Sequence, residues 1–261
     1  MSHSNGPRTG RPPVVAPRGM VSTPHYLASA SGLEALRRGG SAVDAAIAAN
    51  ATLCVVYPHM AGLGGDGFWL MAGPGTDGVQ ALDASGPAAW KATRDYYRKH
   101  GCTDQIPARG PLAALTTPGA VDGWRVAHER HGRLPWASLF ADAIEYARNG
   151  IAVSRSLADW LAADVSILQQ FPDTARIFLP GGKVLREGAR LVQAELAGTF
   201  EQLAESGARA AFYEGPIAQR ICKALAPAGS PLSPDDFAGY QARWVKPIST
   251  SYRGHDVFQM P

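Results

Sequence analysis

The sequence predicts an α+β fold, rich in helix. Three observations predict it. A helix that is apolar nearly all round leads into a glycine cluster, and two short strands follow that cluster as a hairpin. A long run of helical segments then separates this hairpin from two strands at residues 247–252 and 256–260. Helices and strands grouped in this way, each with an apolar face to bury, are the mark of the class.

Residues 1–13 (MSHSNGPRTGRPP) are polar and rich in Pro, Gly and Arg, and read as a disordered tail. Residues 14–25 mix β-branched and small residues and read as a strand. A helix follows over 26–38, stopped by Gly39-Gly40. The next starts at Ser41 with Asp44 three positions on, the spacing of a capping box. Its body, VDAAIAANATLCVV, has no polar face and must be buried, and Pro58 ends it. The glycines at 62, 64, 65 and 67 then permit a tight turn. GFWLMAG and residues 78–84 form the hairpin, with a loop at 75–78. Helices are predicted over 93–100, 119–131, 138–149, 154–170, 192–206 and 216–226, with a further turn at 234–240. In the third of these, Leu139, Ala143 and Tyr146 share one side.

With 46% hydrophobic and 18% charged residues, the chain has enough apolar side chains for a core. A net charge of +3 without a dense Lys/Arg stripe argues against nucleic acid as a partner. The longest uncharged stretch, 45–65, contains Asn50, Pro58, His59 and the glycine cluster. It reads as a buried helix and a loop, not a membrane span. Cys54, Cys102 and Cys222 lie far apart without a CxxC pair, so neither a disulfide framework nor a thiolate zinc site is expected. The polar N-terminus lacks the apolar stretch of a secretory signal, which predicts a cytoplasmic protein.

No familiar nucleophile motif is present. The glycine cluster follows a helix and opens a strand, the reverse of a dinucleotide fingerprint, so it reads as a packing turn with Asp66 either capping it or functional. His128 and His131 have metal-ligand spacing but no third ligand, and read as a solvated helix end among arginines. His25 and His59 read as satisfied structural groups. No GxSxG elbow occurs. Thr116 and Thr117 precede a helix and are expected to cap it, since an internal threonine without a base is a poor nucleophile. Arg109 lies in a Pro/Gly-framed loop, PARGPLAALTTPG, a setting that suits either carboxylate recognition or an isolated surface arginine.

Taken together, GGSAVDAAIAANATLCVVYPHMAGLGGDGFWL (39–70), TTPGAVDGW (116–124), LPWASLFADAIEYARNG (134–150), FYEGPIAQRI (212–221) and SYRGHDVFQMP (251–261) resemble the γ-glutamyltransferase family of N-terminal-nucleophile hydrolases. The resemblance implies a four-layer αββα sandwich, with residues 14–261 as the large-subunit part of a single domain. It implies a precursor that cleaves itself and frees a threonine at the start of a second, small subunit, which completes the sheets. That hydroxyl is the nucleophile and its own α-amino group, with a pKa of about 8, is the base. On this reading no catalytic residue lies in the chain and the chain alone is inactive. No metal or cofactor is implied, and a dimer of heterodimers is expected.

The resemblance also carries a departure. Family members that cleave γ-glutamyl groups place an Arg-Glu pair after the second strand, where this chain has Ser85-Gly86. Loss of a charge-assisted pair to a carboxylate costs about 1.5–3 kcal/mol, which disfavours a γ-glutamyl substrate. RGMVSTPH (18–25), residues 55–70 and RGPLAALT (109–116) are most similar to the oxamate amidohydrolase branch. That branch is implied to hydrolyse oxamate to oxalate and ammonia in purine degradation. By position in the sequence, and not from an established family site, the expected substrate-binding residues are Arg109, as cation, and Ser85, as hydrogen-bond donor. The alternatives are a γ-glutamyltransferase or glutaryl-type acylase, and a non-catalytic binding protein of the same fold.

Overall fold

A computed structural model describes residues 14–73 and 78–261. The tail at 1–13 and most of the 75–78 loop lie outside the described residues. Residues 14–25 form no strand. They lack a partner strand and run irregularly up to His25, whose Nδ1 accepts from the Leu27 amide (3.3 Å) and caps the first helix. The Thr23 hydroxyl donates to the His25 carbonyl at 2.7 Å and tightens that entry.

Helix α1 (Tyr26–Arg37) and helix α2 (Ala42–Val56) pack closely. Their contact depends on small residues, since a Cβ at Gly32 would meet the Ala45 carbonyl oxygen at 3.0 Å and the Ala49 methyl at 3.3 Å. The capping box forms as predicted: Ser41 Oγ accepts from Asp44 N (3.1 Å) and Asp44 Oδ2 from Ser41 N (2.7 Å). Asp44 does more than cap. It is fully buried, and its Oδ2 also accepts from the amides of Arg133 and Leu134, tying the turn after a distant helix to the root of α2.

Strands β1 (Gly67–Met71) and β2 (Gln80–Ala84) pair antiparallel, Gly67 opposite Ala84 and Met71 opposite Gln80. Helices α3 (Arg94–Lys99), α4 (Ala120–His131) and α5 (Ala141–Asn149) follow, α5 entered through a 3₁₀ turn at Trp136–Phe140. A two-residue strand β3 (Ile151–Ala152) precedes α6 (Arg155–Ala163) and α7 (Val165–Leu168). One helix was expected here. Asp164 leaves helical geometry (φ −101°, ψ 11°) and divides it. Helix α8 (Pro172–Phe178), opened by Pro172, was not anticipated, and neither was strand β4 (Arg190–Leu191), which pairs with β3.

Helix α9 (Ala194–Ala208) runs into a π-helical turn at Arg209–Tyr213. Helices α10 (Pro216–Leu225) and α11 (Pro234–Gly239) complete the helical part. A three-residue strand β5 (Arg243–Val245) adds to β2, giving the order β1-β2-β5. Strands β6 (Ile248–Tyr252) and β7 (His255–Gln259) pair only with each other among the described residues.

The core lies between α2, α4, α5, α9 and β2. Trp124, Phe140, Phe200, Phe212, Tyr213 and Phe237 fill it. The predicted face of α5 turns inward, with Leu139 and Ala143 buried and Tyr146 packed against them. No helix of the described residues is long and apolar enough to cross a membrane.

Candidate functional site

The glycine loop at 62–67 is a packing turn, as expected from its order after a helix and before a strand. The Gly65 carbonyl accepts from the amides of both Gly119 (3.0 Å) and Ala120 (2.9 Å). The free N–H groups at the start of α4 are thereby taken by backbone, and Asp122 N donates to the Tyr213 hydroxyl (2.9 Å). This corrects the expectation for Thr116 and Thr117, because the N-cap is Gly119 and no side chain caps the helix. Thr117 is instead fully buried with its hydroxyl unpaired among the described residues. Its amide donates to Pro87 O, and Thr116 bridges Ala88.

Ser85 and Gly86 sit at the exit of β2, each held by a different carboxylate. Asp83 Oδ1 accepts from Ser85 N (2.9 Å) and from Ser85 Oγ (2.6 Å). Asp66 Oδ1 accepts from Gly86 N at 2.9 Å, so Asp66 links the glycine loop to this corner. Burial pushes the Asp83 carboxyl up. The Ser85 hydroxyl, the Ser85 amide and Arg243, its cross-strand partner, outweigh burial and hold the carboxyl below the usual range. Asp83 is therefore ionised at neutral pH and keeps the Ser85 proton. With its proton on Asp83, the Ser85 hydroxyl has only lone pairs left to offer. Gly86 has no substitute, because a Cβ there would collide with the Thr117 carbonyl.

Behind this corner lies a carboxylate that the sequence reading missed. Asp122 is fully buried, with Oδ1 on Arg125 Nε (2.7 Å) and Oδ2 on the Ala242 amide (2.7 Å). Arg209 approaches it at 4.0 Å, and Tyr213 Oη donates to Pro118 O at 2.8 Å. Asp122 thus ties α4 to the chain entering β5. An acidic residue inside the apolar run GAVDGW was the available signal, since a buried charge must have partners.

Arg109 lies elsewhere. It is exposed and makes no hydrogen bond or ion pair with any described residue. Its loop turns at Gly110 (φ +93°), where Ala113 N donates to Gly110 O and the Phe171 ring stands 3.3 Å from the position of a Cβ. With Phe171 and Leu225 it lines an open groove of about 760 Å³, and Ser85 is not part of that lining. The structure joins the two predicted residues by no direct contact.

The four histidines singled out in the sequence have structural contacts. His128 Nε2 bonds Leu134 O and His131 Nε2 bonds Gln80 Oε1, each at 2.9 Å, and both rings pack on tryptophans. They are half-buried linkers rather than a solvated helix end. Among the described residues no three His, Cys, Asp or Glu side chains come together as metal ligands. His25 is satisfied as a cap. His59 Nε2 bonds Ser156 Oγ (3.0 Å), but its buried Nδ1 has no partner among the described residues. All three cysteines are free, and burial pushes the Cys54 thiol up to about 12.

Comparison with known proteins places this geometry. The chain is 43% identical over 248 residues to the glutathione hydrolase-like YwrD proenzyme of Bacillus subtilis, covering 95% of this chain and 46% of that protein. It is 44% identical over 246 residues to the oxamate amidohydrolase proenzyme of Klebsiella pneumoniae, covering 92% and 45%. The chain therefore spans about half the length of the curated relatives it matches. Among solved structures, Helicobacter pylori gamma-glutamyltranspeptidase superposes with a TM-score of 0.89 at 31% identity, over 96% of this chain and 72% of that one. Cephalosporin acylase from Bacillus halodurans gives 0.91 at 33% identity, over 100% and 49%. The gamma-glutamyltranspeptidase family model matches residues 28–261. The chain belongs to the gamma-glutamyltranspeptidase family and carries the large-subunit portion of its N-terminal-nucleophile hydrolase fold.

Proposed function

We propose that this chain is the large-subunit part of a self-processing amidohydrolase acting on a small acidic amide, with oxamate the first candidate. The observation that carries the reading is the Ser85-Gly86 corner. It offers a serine hydroxyl, held by Asp83, at the place where a γ-glutamyl substrate needs a cation. The 44% identity to an oxamate amidohydrolase proenzyme is compatible with this choice, and the 43% identity to a glutathione hydrolase-like proenzyme keeps the γ-glutamyl alternative in the test.

In this reading a threonine, freed by cleavage of the precursor, lies on a second segment. Its Oγ attacks the amide carbonyl while its α-amino group accepts the proton. The C–N bond breaks, ammonia leaves with that proton, and water hydrolyses the resulting ester to oxalate and the free hydroxyl. This chain's part is to bind and orient. Ser85 Oγ accepts from the amide NH₂, and Asp83 keeps it an acceptor. Arg109, which lies outside that corner, draws the anion toward it. The glycine loop, fixed to α4 through Gly65, sets the position of Asp66 and so of the corner.

The test compares ammonia release from oxamate with turnover of a γ-glutamyl anilide, using the processed whole protein. The proposal expects conversion of one band to two on a denaturing gel, and higher kcat/KM for oxamate. Faster turnover of the anilide overturns the substrate. Arg109→Ala is expected to raise KM for oxamate about ten- to a hundred-fold. An unchanged kcat/KM removes Arg109 from the substrate's path.

A further inference from the structure

The surroundings of Arg109 are larger and more apolar than a two-carbon anion can use. The groove measures about 760 Å³, within the range of pockets that take drug-sized molecules. Its walls are Ile106 and Pro111 from the Arg109 loop, Leu115 beyond it, Ile167 from α7, Phe171 from the α7–α8 connection, and Leu225 at the end of α10. Arg109 is the one ionisable residue in that lining, and it has no acidic partner among the described residues. Ile106 remains 42% exposed, so apolar surface is left open to water beside an uncompensated guanidinium. Such a pairing matches one ligand chemistry: a carboxylate for the cation and a hydrocarbon body for the walls.

We infer that the Arg109 groove binds monocarboxylates carrying an unbranched or lightly branched apolar chain, with the carboxylate on Arg109 and the chain toward Phe171 and Leu225. This goes beyond the oxamate reading. Oxamate engages only the charged end, whereas the walls reward each added methylene. A buried CH₂ contributes about 0.8 kcal/mol, which is roughly a fourfold gain in affinity per carbon while the groove fills.

Isothermal titration of the whole protein with acetate, butanoate, octanoate and octylamine tests the inference. Octanoate is expected to bind at least about tenfold tighter than butanoate, with acetate weaker still and octylamine silent. Arg109→Gln is expected to weaken octanoate about ten- to a hundred-fold. Phe171→Ser should weaken octanoate while leaving acetate unchanged. Octanoate binding no tighter than acetate, an Arg109→Gln variant that binds as wild type, or octylamine binding as well as octanoate each overturns the inference. Ammonia release from oxamate, measured on the same preparation, separates the two readings. Turnover without octanoate binding sinks only the groove. Octanoate binding through Arg109 without oxamate turnover sinks only the substrate assignment.

Discussion

The root of α4 and the β6–β7 hairpin solve opposite problems. At the root, Asp122 is wholly buried and its oxygens are spent on Arg125 and on the Ala242 amide, while Tyr213 closes the circuit to Pro118. In the hairpin every strand residue is exposed, including Ile248, Tyr252, Val257 and Phe258, and no third strand joins it among the described residues. The first region is stabilised entirely by this chain. The second has backbone pairing but nothing to bury its apolar side chains against, and an isolated two-stranded hairpin is marginal in water. The difference teaches where this chain stops being self-sufficient: at the sheet layer, not at the helical core.

The largest effect that breaks the comparison is at Asp122. Asp122→Ala removes the Nε partner of Arg125, whose Nη1 stays on Glu129, and leaves the buried Ala242 amide without an acceptor. Losing these buried hydrogen bonds, one of them charge-assisted, costs about 2–4 kcal/mol. The urea midpoint of the whole protein should fall accordingly. A loss below about 1 kcal/mol would show that the hub is ornamental.

The hairpin gives the next effect, and its size depends on what covers it. Phe258→Ala in a chain ending at Pro261 removes a side chain that is already 37% exposed, and should cost less than about 0.5 kcal/mol. In the processed whole protein the same change should cost about 3 kcal/mol, if a following segment packs on this face. Thermal unfolding of both forms reads the difference. Equal small losses in the two would mean that the hairpin stays bare and that the sheet is not completed there.

The two regions also differed in how far they could be read from sequence. Caps and periodicity were legible because they are local. Ser41 and Asp44 sit three apart, and the apolar face of α5 repeats along one helix. What was missed is long-range. Asp44 reaches the amides of Arg133 and Leu134, and Asp122 reaches Ala242, spans of 89, 90 and 120 residues that no local pattern encodes. Residues 14–25 show the converse error, because β-propensity without a partner strand yields only an irregular segment. At the candidate corner, Ser85 was singled out by its position, where the family's Arg-Glu pair would fall. Its conversion from donor to acceptor by Asp83 was not legible, since two residues' separation along a strand end does not say which atom holds the proton.

The smallest effect sharpens the comparison by asking whether buried histidines near α1 and the glycine loop strain the self-sufficient region. Burial lowers the pKa of both His25 and His59 from the ordinary value of 6.5. Each therefore protonates more readily in the unfolded chain than in the folded one. Between the two values the unfolded state binds more protons, so stability is full above pH 6.5 and declines as pH falls toward the folded values. Asp83 acts in a separate window. Its carboxyl is held below the usual 3.8, so its contribution is present above that value and is lost only in stronger acid. Urea midpoints at about pH 7.5 and about pH 5.5 should thus fall on acidification through the histidines alone. His25→Asn preserves an N-cap acceptor, and His59→Gln keeps a polar group against Ser156. The double variant should lose most of the pH 7.5-to-5.5 drop, to about the slope expected of exposed groups. A wild-type midpoint that rises on acidification would reverse the sign and show that both rings gain a partner when charged.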